Sequence, residues 1–271
     1  MDRAATPGFG LQLRHWRHRR GLSQMALALA AEVSARHLSW LEADKSQPSR
    51  AMVLRLAERL DLPLRERNGL LMAAGYAPMY GERGLDDPAL APARGALQRL
   101  LDAHEPAPAL AVDRHWNLVA HNRLVPLLLQ HAAPALLQPP INVLRVSLHP
   151  AGLGGMVDNL PAWRDHVLAR LQRQIVASGD ARLVALHEEL RALPCPDPGP
   201  HTGTDPAPGD GFDDVAQSLR LHTPLGPLCF ITTLTVFGAP HDVTLSELAI
   251  ETLLPADADT AARLRDLLAS H

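Results

Sequence analysis

The segment from residue 12 to residue 60 restricts the fold of this chain more than any other part. It reads QLRHWRHRRGLSQMALALAAEVSARHLSWLEADKSQPSRAMVLRLAERL, with apolar residues recurring at the three- and four-residue steps of short amphipathic helices. Ser23 is a good N-cap for one such helix, whose inward face would carry Leu27, Ala28 and Ala31. The small alanines predict a close crossing with a neighbouring helix.

A second short helix is predicted from about residue 34 to residue 43, with Leu38 and Leu41 facing inward. Its outward positions are Ala35, Arg36, Ser39 and Trp40. Because Arg36 and Trp40 are four residues apart, one stands above the other on the helix. An exposed short helix that carries an arginine beside cationic flanks is what reading a DNA major groove requires.

The pattern LSQxxLAxxAxVSxxxLSxLE resembles the helix-turn-helix of the xenobiotic-response-element (XRE) family, which is related to phage repressors. The residues that carry the resemblance are Leu22, Ser23, Gln24, Leu27, Ala28, Ala31, Val33, Ser34, Leu38, Ser39, Leu41 and Glu42. Two positions depart from the pattern, since Glu32 and Asp44 stand where glycine is usual. A left-handed backbone there costs other residues roughly 1 kcal/mol, so we expect mild strain.

The predicted DNA-binding residues are Arg17, Gln24, Ser34, Ala35, Arg36, Ser39, Trp40 and Lys45. Arg36 is the expected base reader, with two hydrogen bonds to a guanine edge, although a solvated helix arginine would have the same spacing. The resemblance implies that Gln24 contacts a phosphate, with Ser34 and Lys45 in similar positions at the ends of the recognition helix. Trp40 either lies against the sugar–phosphate backbone or packs on the next helix.

The charge distribution also favours a nucleic-acid partner for the N-terminal part. Residues 1–75 hold 12 Lys/Arg against 7 Asp/Glu, a net +5, whereas the remaining 196 residues hold 14 against 22, a net −8. A basic head on an acidic body suits contact with a polyanion through the head alone. Arg17, on a first helix predicted over residues 10–20, is placed to reach a phosphate.

Composition limits the other possibilities. With 46% hydrophobic and 20% charged residues in 271, the chain is long enough for one large or two ordinary globular domains. The sequence has no apolar run of the ~20 residues that a membrane span needs and no leader pattern, so we expect a cytoplasmic protein. The two cysteines, Cys195 and Cys229, lack disulfide or metal spacing. With no catalytic constellation in view, we expect neither an enzyme, a cofactor nor a metal.

The order of predicted elements indicates an α+β protein. Five helices make an all-α helix-turn-helix domain over residues 1–76, and a linker with a connecting helix follows over 77–105. Residues 106–271 form a second domain. In it, hairpins are predicted at 109–122 and 218–238, a third strand at 243–252, helices between the hairpins, and a low-complexity loop at 194–211.

A strand pair, helices and then antiparallel strands are typical of a PAS-like α/β sensor with an antiparallel sheet. The pieces WNLVAHN and NVLRVSLHP, the late hairpin and Trp163 before a helix resemble the MmyB-like ligand-binding domain over roughly residues 106–270. In bacterial regulators that domain often follows this type of helix-turn-helix. The resemblance implies an apolar effector, with a fatty-acyl molecule as a candidate, while the residues themselves support only an apolar pocket.

Polar and aromatic residues that interrupt the apolar elements of this domain are the predicted ligand-binding residues: Trp116, Asn122, Arg145, His149 and Trp163. The two tryptophans could instead be core residues. We expect the cavity between the sheet and the helices that carry Arg145 and Trp163. The predicted function is a ligand-responsive transcription regulator that binds an inverted repeat in double-stranded DNA as a homodimer. The alternative is a regulator whose second domain binds a partner protein.

Overall fold

The computed structural model describes residues 8–195, 218–238 and 240–270. The chain divides into two compact units, each with its own hydrophobic core. The first unit contains the described residues up to Gly84 together with those of Gly238–Ser246. The second contains the described residues from Leu85 to Phe237 and from Glu247 onward.

The first unit is helical, as predicted. Its helices are α1 (Phe9–Arg19), α2 (Gln24–Ala30), α3 (Ala35–Glu42), α4 (Arg50–Arg59) and α5 (Leu64–Ala73). Three serines begin three of them, because the Oγ atoms of Ser23, Ser34 and Ser49 each accept a hydrogen bond from the backbone N–H three residues further on, at 3.0, 3.1 and 3.2 Å. Each cap satisfies a backbone donor that the first helical turn would otherwise leave without a partner.

The predicted inward positions of α2 and α3 form the centre of this unit. Leu27, Ala28, Ala31, Leu38 and Leu41 are at most 1% exposed. Full burial of a leucine side chain is worth about 1.5–3 kcal/mol, so these positions hold the two helices in register with α1 and α4.

The two turns around α3 adopt the left-handed backbone predicted for glycine positions. Glu32 has φ of 57° and Asp44 has φ of 52°. The Oδ1 of Asp44 also accepts a hydrogen bond from the N–H of Gly10 at 2.8 Å. A Cβ at Gly10 would lie 2.5 Å from the carbonyl oxygen of Leu41, so α1 can approach α3 this closely only with glycine there.

The second unit is built on a five-stranded antiparallel sheet, which confirms the predicted α+β fold. Its strands are β1 (Ala109–Val112), β2 (Leu118–His121), β3 (Ser218–Thr223), β4 (Gly226–Val236) and β5 (Ala249–Pro255). They lie in the order β2-β1-β5-β4-β3, so the two hairpins are joined through β5.

Helices complete the second unit: α6 (Ala91–Asp102), α7 (Leu124–Leu129), α8 (Val143–Leu148), α9 (Leu160–Ser178), α10 (Ala181–Ala192) and, after β5, α12 (Ala258–Ala269). The short α11 (Val243–Ser246) belongs to the first unit. The longest helix, α9, buries Trp163, Val167 and Leu171 on one face and ends at Gly179, whose φ is 70°. Its buried face packs into the same core as the sheet.

The predicted third strand is wrong in its first half. Val243–Ser246 is a helical turn rather than a strand, because the Oδ1 of Asp242 accepts hydrogen bonds from the N–H groups of Thr244 and Leu245. The strand begins only at Ala249. Apart from residues 194 and 195, the low-complexity loop predicted at 194–211 lies outside the described residues.

Candidate DNA-binding surface and effector cavity

The outward face of α3 presents an arginine stacked on a tryptophan. Arg36 is exposed, Trp40 is 42% exposed, and the Cζ of Arg36 lies 4.6 Å from the centre of the Trp40 ring. This is a cation–π contact, which orients the guanidinium without using its hydrogen-bond donors. Ala35 and Ser39, also predicted to face outward, are half-buried. Arg36 and Trp40 are therefore the most exposed of the four outward residues of α3.

Ser34 and Lys45 flank α3 at its two ends, and both are exposed. The Oγ of Ser34 accepts the capping hydrogen bond from the N–H of His37, and its hydroxyl proton stays available to an acceptor outside the protein. Lys45 follows the left-handed Asp44 and carries its charge on the surface. The hydroxyl of Ser34 and the ammonium group of Lys45 therefore precede and follow Arg36 in the chain.

Arg17, which was predicted to contact a phosphate, lies inside the first unit. Arg17 is 5% exposed, and its Nε and Nη2 donate to the two carboxylate oxygens of Glu42 at 2.5 and 2.9 Å. Its Nη1 donates to the carbonyl oxygen of Leu22 at 2.8 Å. These bonds link α1 to α3 and to the turn before α2, and the predicted phosphate contact of Arg17 stays a prediction.

Gln24 joins the same network, since its Nε2 donates to the Oε2 of Glu42 at 2.8 Å. Burial by itself raises the pKa of the Glu42 carboxyl, but the hydrogen bonds from Arg17 and Gln24 outweigh it and leave that pKa lowered. The carboxylate in turn raises the pKa of Arg17. Gln24 remains half-buried, and its predicted phosphate contact is a proposal.

The second unit contains a partly open apolar cavity of about 70 Å³ between the sheet and the helices α7, α8 and α9. Apolar side chains form most of its wall: Pro108, Leu110, Val125, Leu128, Leu129, Ile141, Val143, Leu144, Val146, Leu153, Trp163, Leu219 and Leu253. The polar groups in the wall belong to Ser147, Arg170 and Glu251. A mostly apolar wall with a few polar groups is the usual composition of a small-molecule site.

Arg170 and Glu251 form an ion pair at the cavity. The Nη1 of Arg170 donates to the Oε1 of Glu251 at 2.9 Å, and the two side chains are 15% and 8% exposed. The guanidinium also stacks on Trp116, with 4.3 Å between its Cζ and the ring centre. Within the described part of the chain, the buried Nε and Nη2 of Arg170 have no hydrogen-bond acceptor.

Trp116 and Trp163 are both buried, as the core alternative predicts, and both also contact groups in the cavity wall. The Nε1 of Trp163 donates to the Oγ of Ser147 at 2.8 Å, and its ring stacks on His166. Burial, followed by the nearby charge of Arg170, lowers the pKa of His166. Trp163 therefore lines the cavity, whereas Trp116 contacts Arg170, which lines it.

The structure places the other three predicted ligand-binding residues elsewhere. Asn122 is buried, and its side-chain amide forms hydrogen bonds with the backbone around β1. Its Nδ2 donates to the carbonyl oxygen of Ala107 at 2.8 Å. Arg145 pairs with Glu189 at 2.7 Å on the exposed side of α8, and the Nδ1 of His149 accepts from a backbone N–H just after that helix. These side chains do not line this cavity, and their predicted contact with a ligand stays a prediction.

Sequence reasoning missed Arg170 and Glu251, although both left a signal. Arg170 falls on the apolar stripe of α9, seven residues after Trp163 and three after Val167. Glu251 shares one face of β5 with Ala249 and Leu253. A charged residue at a core-facing step of a helix or a strand marks a buried polar group that needs a partner.

Two negative findings apply to the described residues. No cluster of three or more metal-ligating side chains occurs among them. Within the same ranges, no helix is both long enough and apolar enough to cross a membrane.

A helix-turn-helix unit together with a sheet unit that holds an apolar cavity defines a ligand-responsive transcription regulator. Residues 9–70 match a helix-turn-helix domain, and residues 93–267 match the MmyB-like transcription regulator ligand binding domain. The second match covers more than half of the chain, so the protein belongs to the family of MmyB-like transcription regulators. Both resemblances predicted from the sequence are thereby confirmed.

Two solved structures are similar to this chain. The restriction-modification controller protein C.AhdI from Aeromonas hydrophila is 34% identical, with 22% of this chain and 89% of that protein aligned and a TM-score of 0.21. An RNA-binding light-oxygen-voltage receptor is 13% identical, with 97% of this chain and 63% of that protein aligned and a TM-score of 0.25. No curated protein matches the chain.

Proposed function

We propose that this regulator binds an inverted repeat in double-stranded DNA as a homodimer and that an apolar small molecule in the cavity of the second unit controls this binding. The half-sites would lie about one helical turn, ~34 Å, apart. Arg36 would read a base, while Ser34, Lys45 and Gln24 would contact the phosphate backbone. The observation that carries the DNA-binding part is the exposed Arg36–Trp40 stack on α3.

Charge supports this assignment of the surface. The N-terminal 75 residues carry a net +5, and the remainder of the chain carries a net −8. A polyanion is therefore attracted to the first unit and repelled by the second. Arg36 has the two-donor fork that matches the O6 and N7 acceptors of guanine, and its stack on Trp40 holds that fork at the surface.

The test is selection of bound duplexes from a random pool, first with the full chain and then with Arg36→Ala. The full chain should select a two-fold symmetric site. Arg36→Ala should cost about 1–3 kcal/mol on that site and relax the preference at one base position in each half-site. Arg99→Ala, which removes an exposed arginine from α6 of the second unit, is the matched control. Unchanged affinity and preference in Arg36→Ala would show that another residue reads the base.

The effector part rests on the cavity and its apolar wall. We expect organic extraction of the purified protein, followed by mass spectrometry, to release an apolar small molecule. Adding that molecule back should raise the melting temperature of the stripped protein, because a ligand that binds only the folded state stabilises it. Val143→Phe, which fills part of the cavity from α8, should reduce both the yield and the shift. A normal yield from that variant would favour binding of a partner protein by the second unit.

A further inference from the structure

Trp40 is a large apolar side chain on the surface that the proposed function places against DNA. Its indole is 42% exposed, whereas Ala35 and Ser39 on the same side of α3 are half-buried. A tryptophan can bury about 150–250 Å² of surface, so a ring left this far in water forgoes a large hydrophobic gain. A contact with a bound partner recovers that gain.

The stack between Arg36 and Trp40 fixes where the indole lies relative to the guanidinium. A long side chain on a helix lies over the turn that precedes its own Cα, so Trp40 reaches back toward Arg36, one turn earlier. The Cζ of Arg36 lies over the ring, 4.6 Å from its centre. The two groups are therefore layered, with the guanidinium on one face of the indole.

This layering matches the spacing of stacked base pairs. The two hydrogen bonds from an arginine to the O6 and N7 atoms of guanine hold the planar guanidinium close to the plane of that base. A ring layered on the guanidinium is then displaced along the duplex by a distance comparable with the base-pair spacing of about 3.4 Å. When Arg36 reads guanine, the indole of Trp40 therefore lies level with the neighbouring base pair.

The chemistry of the indole selects what it can contact on that base pair. The ring is apolar, and its one polar group, the Nε1–H, is a donor only. Among the base edges of the major groove, that of thymine presents an apolar group, the C5-methyl. Contact with this methyl removes apolar surface from water on both sides, whereas the polar edges of the other bases lose hydration against the ring.

Given the contact of Arg36 with guanine under the proposed function, we propose that Trp40 reads the methyl group of a thymine in the adjacent base pair. Arg36 and Trp40 thus recognise a step of two base pairs, in which the guanidinium selects guanine and the indole selects thymine. Trp40 is a specificity-determining residue as well as a support for Arg36. Each half-site of the inverted repeat then contains guanine beside thymine.

The test removes the methyl group without changing a hydrogen-bonding edge. The full chain first selects its preferred duplex from a random pool, and the position that loses its preference in Arg36→Ala locates the guanine. At the adjacent base pair, thymine is replaced with uracil, and a second pair of duplexes compares cytosine with 5-methylcytosine. Fluorescence anisotropy should show that each loss of the methyl weakens binding about 4-fold in one half-site and about 15-fold in both, as expected for burial of one methyl group.

Variants of Trp40 distinguish reading of the methyl from support of Arg36. In Trp40→Ala the ratio of thymine to uracil affinity should fall to about 1, while Trp40→Phe keeps an aromatic face and should retain a ratio of at least about 2. Loss of a residue that only orients Arg36 would weaken both duplexes alike and leave the ratio unchanged. Met25→Ala removes an exposed apolar side chain from α2 and is the control that should keep the full ratio. Circular dichroism reports whether each variant is folded.

The outcomes distinguish this inference from the proposed function. A selected site without thymine beside the guanine, or equal affinity for the thymine and uracil duplexes, overturns the role of Trp40 and leaves Arg36 as the base reader. A ratio that survives in Trp40→Ala overturns it as well, and loss of the ratio in Ala35→Gly would then assign the methyl to Ala35. Failure of the full chain to select any duplex overturns both the inference and the DNA-binding part of the proposed function.

Discussion

At the scale of single residues, the buried pair of Arg17 and Glu42 is the strongest test of how the first unit holds together. Glu42→Gln leaves Arg17 buried without its counter-charge, and removing one partner of such a pair costs about 3–5 kcal/mol. We expect the midpoint of denaturant unfolding of the first unit to fall accordingly. Arg17→Met combined with Glu42→Leu removes both charges and should cost much less. Equal losses in the single and double variants would contradict the buried-charge explanation.

The same pair predicts a pH dependence. The folded pKa of Glu42 is lowered, so its contribution to the free energy of unfolding is complete above the unfolded value of about 4.3 and is lost as the pH falls through the folded pKa. The stability difference between wild type and Glu42→Gln should therefore be constant from pH 6 to pH 8 and shrink below about pH 4. Urea titrations at fixed ionic strength across this range would measure it, and a difference that grows on acidification would show the opposite sign of linkage.

Replacing Lys45 shows whether this residue reads a base or contacts the phosphate backbone of DNA. Its side chain is exposed just after α3, and its backbone N–H donates to the carbonyl oxygen of Trp40 at 2.8 Å. Lys45→Ala should weaken binding to all duplexes alike and reduce the slope of log affinity against log salt by about one unit. A loss confined to the selected site would place Lys45 among the base readers instead.

At the residue scale, the sequence says least about which way a side chain faces. The pattern located α3 and its outward arginine, yet it could not tell which arginine of α1 turns inward. Arg17 lies one residue after Trp16 and four after Leu13, at the edge of the apolar stripe, so its direction depends on the presence of Glu42 across the helix pair. Spacing within one helix does not contain that information.

At the scale of elements, the two turns on either side of α3 should respond differently to the same substitution by glycine. Both Glu32 and Asp44 have positive φ, a conformation that costs glycine nothing. Glu32→Gly should therefore stabilise the protein by up to about 1 kcal/mol, seen as a higher melting temperature. Asp44→Gly should give no such gain, because it also removes the acceptor for the N–H of Gly10. Equal stabilisation by both changes would mean that this bond contributes nothing.

Most elements were predictable because their signals are local. The serine caps, the helical stripes of α2 and α3, and both hairpins follow from neighbours in sequence. The start of the predicted third strand was not, since Asp242 caps a helical turn where the apolar alternation alone favours a strand. The order of the sheet, with β5 between β1 and β4, depends on the pairing of β1 with β5, whose residues are more than a hundred apart in the chain and which no local pattern specifies.

At the scale of the whole molecule, the chain path joins the two units more than once. The strands β4 and β5 belong to the second unit, but the segment Gly238–Ser246 that connects them belongs to the first. In it Val243 is fully buried, and its N–H donates to the carbonyl oxygen of Gly81 at 2.7 Å. Sequence order alone assigns this segment to the second domain.

Under the proposed function, the effector would act on DNA binding through the backbone at this connection, because β5 carries Glu251 and Leu253 of the cavity wall and begins three residues after the segment ends. An effector changes DNA affinity only by binding two states of the protein differently, and typical coupling amounts to about 1–3 kcal/mol, or 5- to 150-fold. Val243→Ala should loosen the segment and reduce that ratio while leaving the affinity for DNA without effector, and for effector without DNA, within about 3-fold.

Fluorescence anisotropy of a labelled duplex, titrated with and without the extracted effector, would measure the ratio. Leu225→Ala, in the exposed β3–β4 turn of the second unit, is the control and should leave the ratio unchanged. If Val243→Ala keeps the full ratio, the effector acts on DNA binding through another route, such as the arrangement of the dimer. If it weakens DNA binding equally with and without effector, Val243 contributes to the stability of the first unit and not to the coupling.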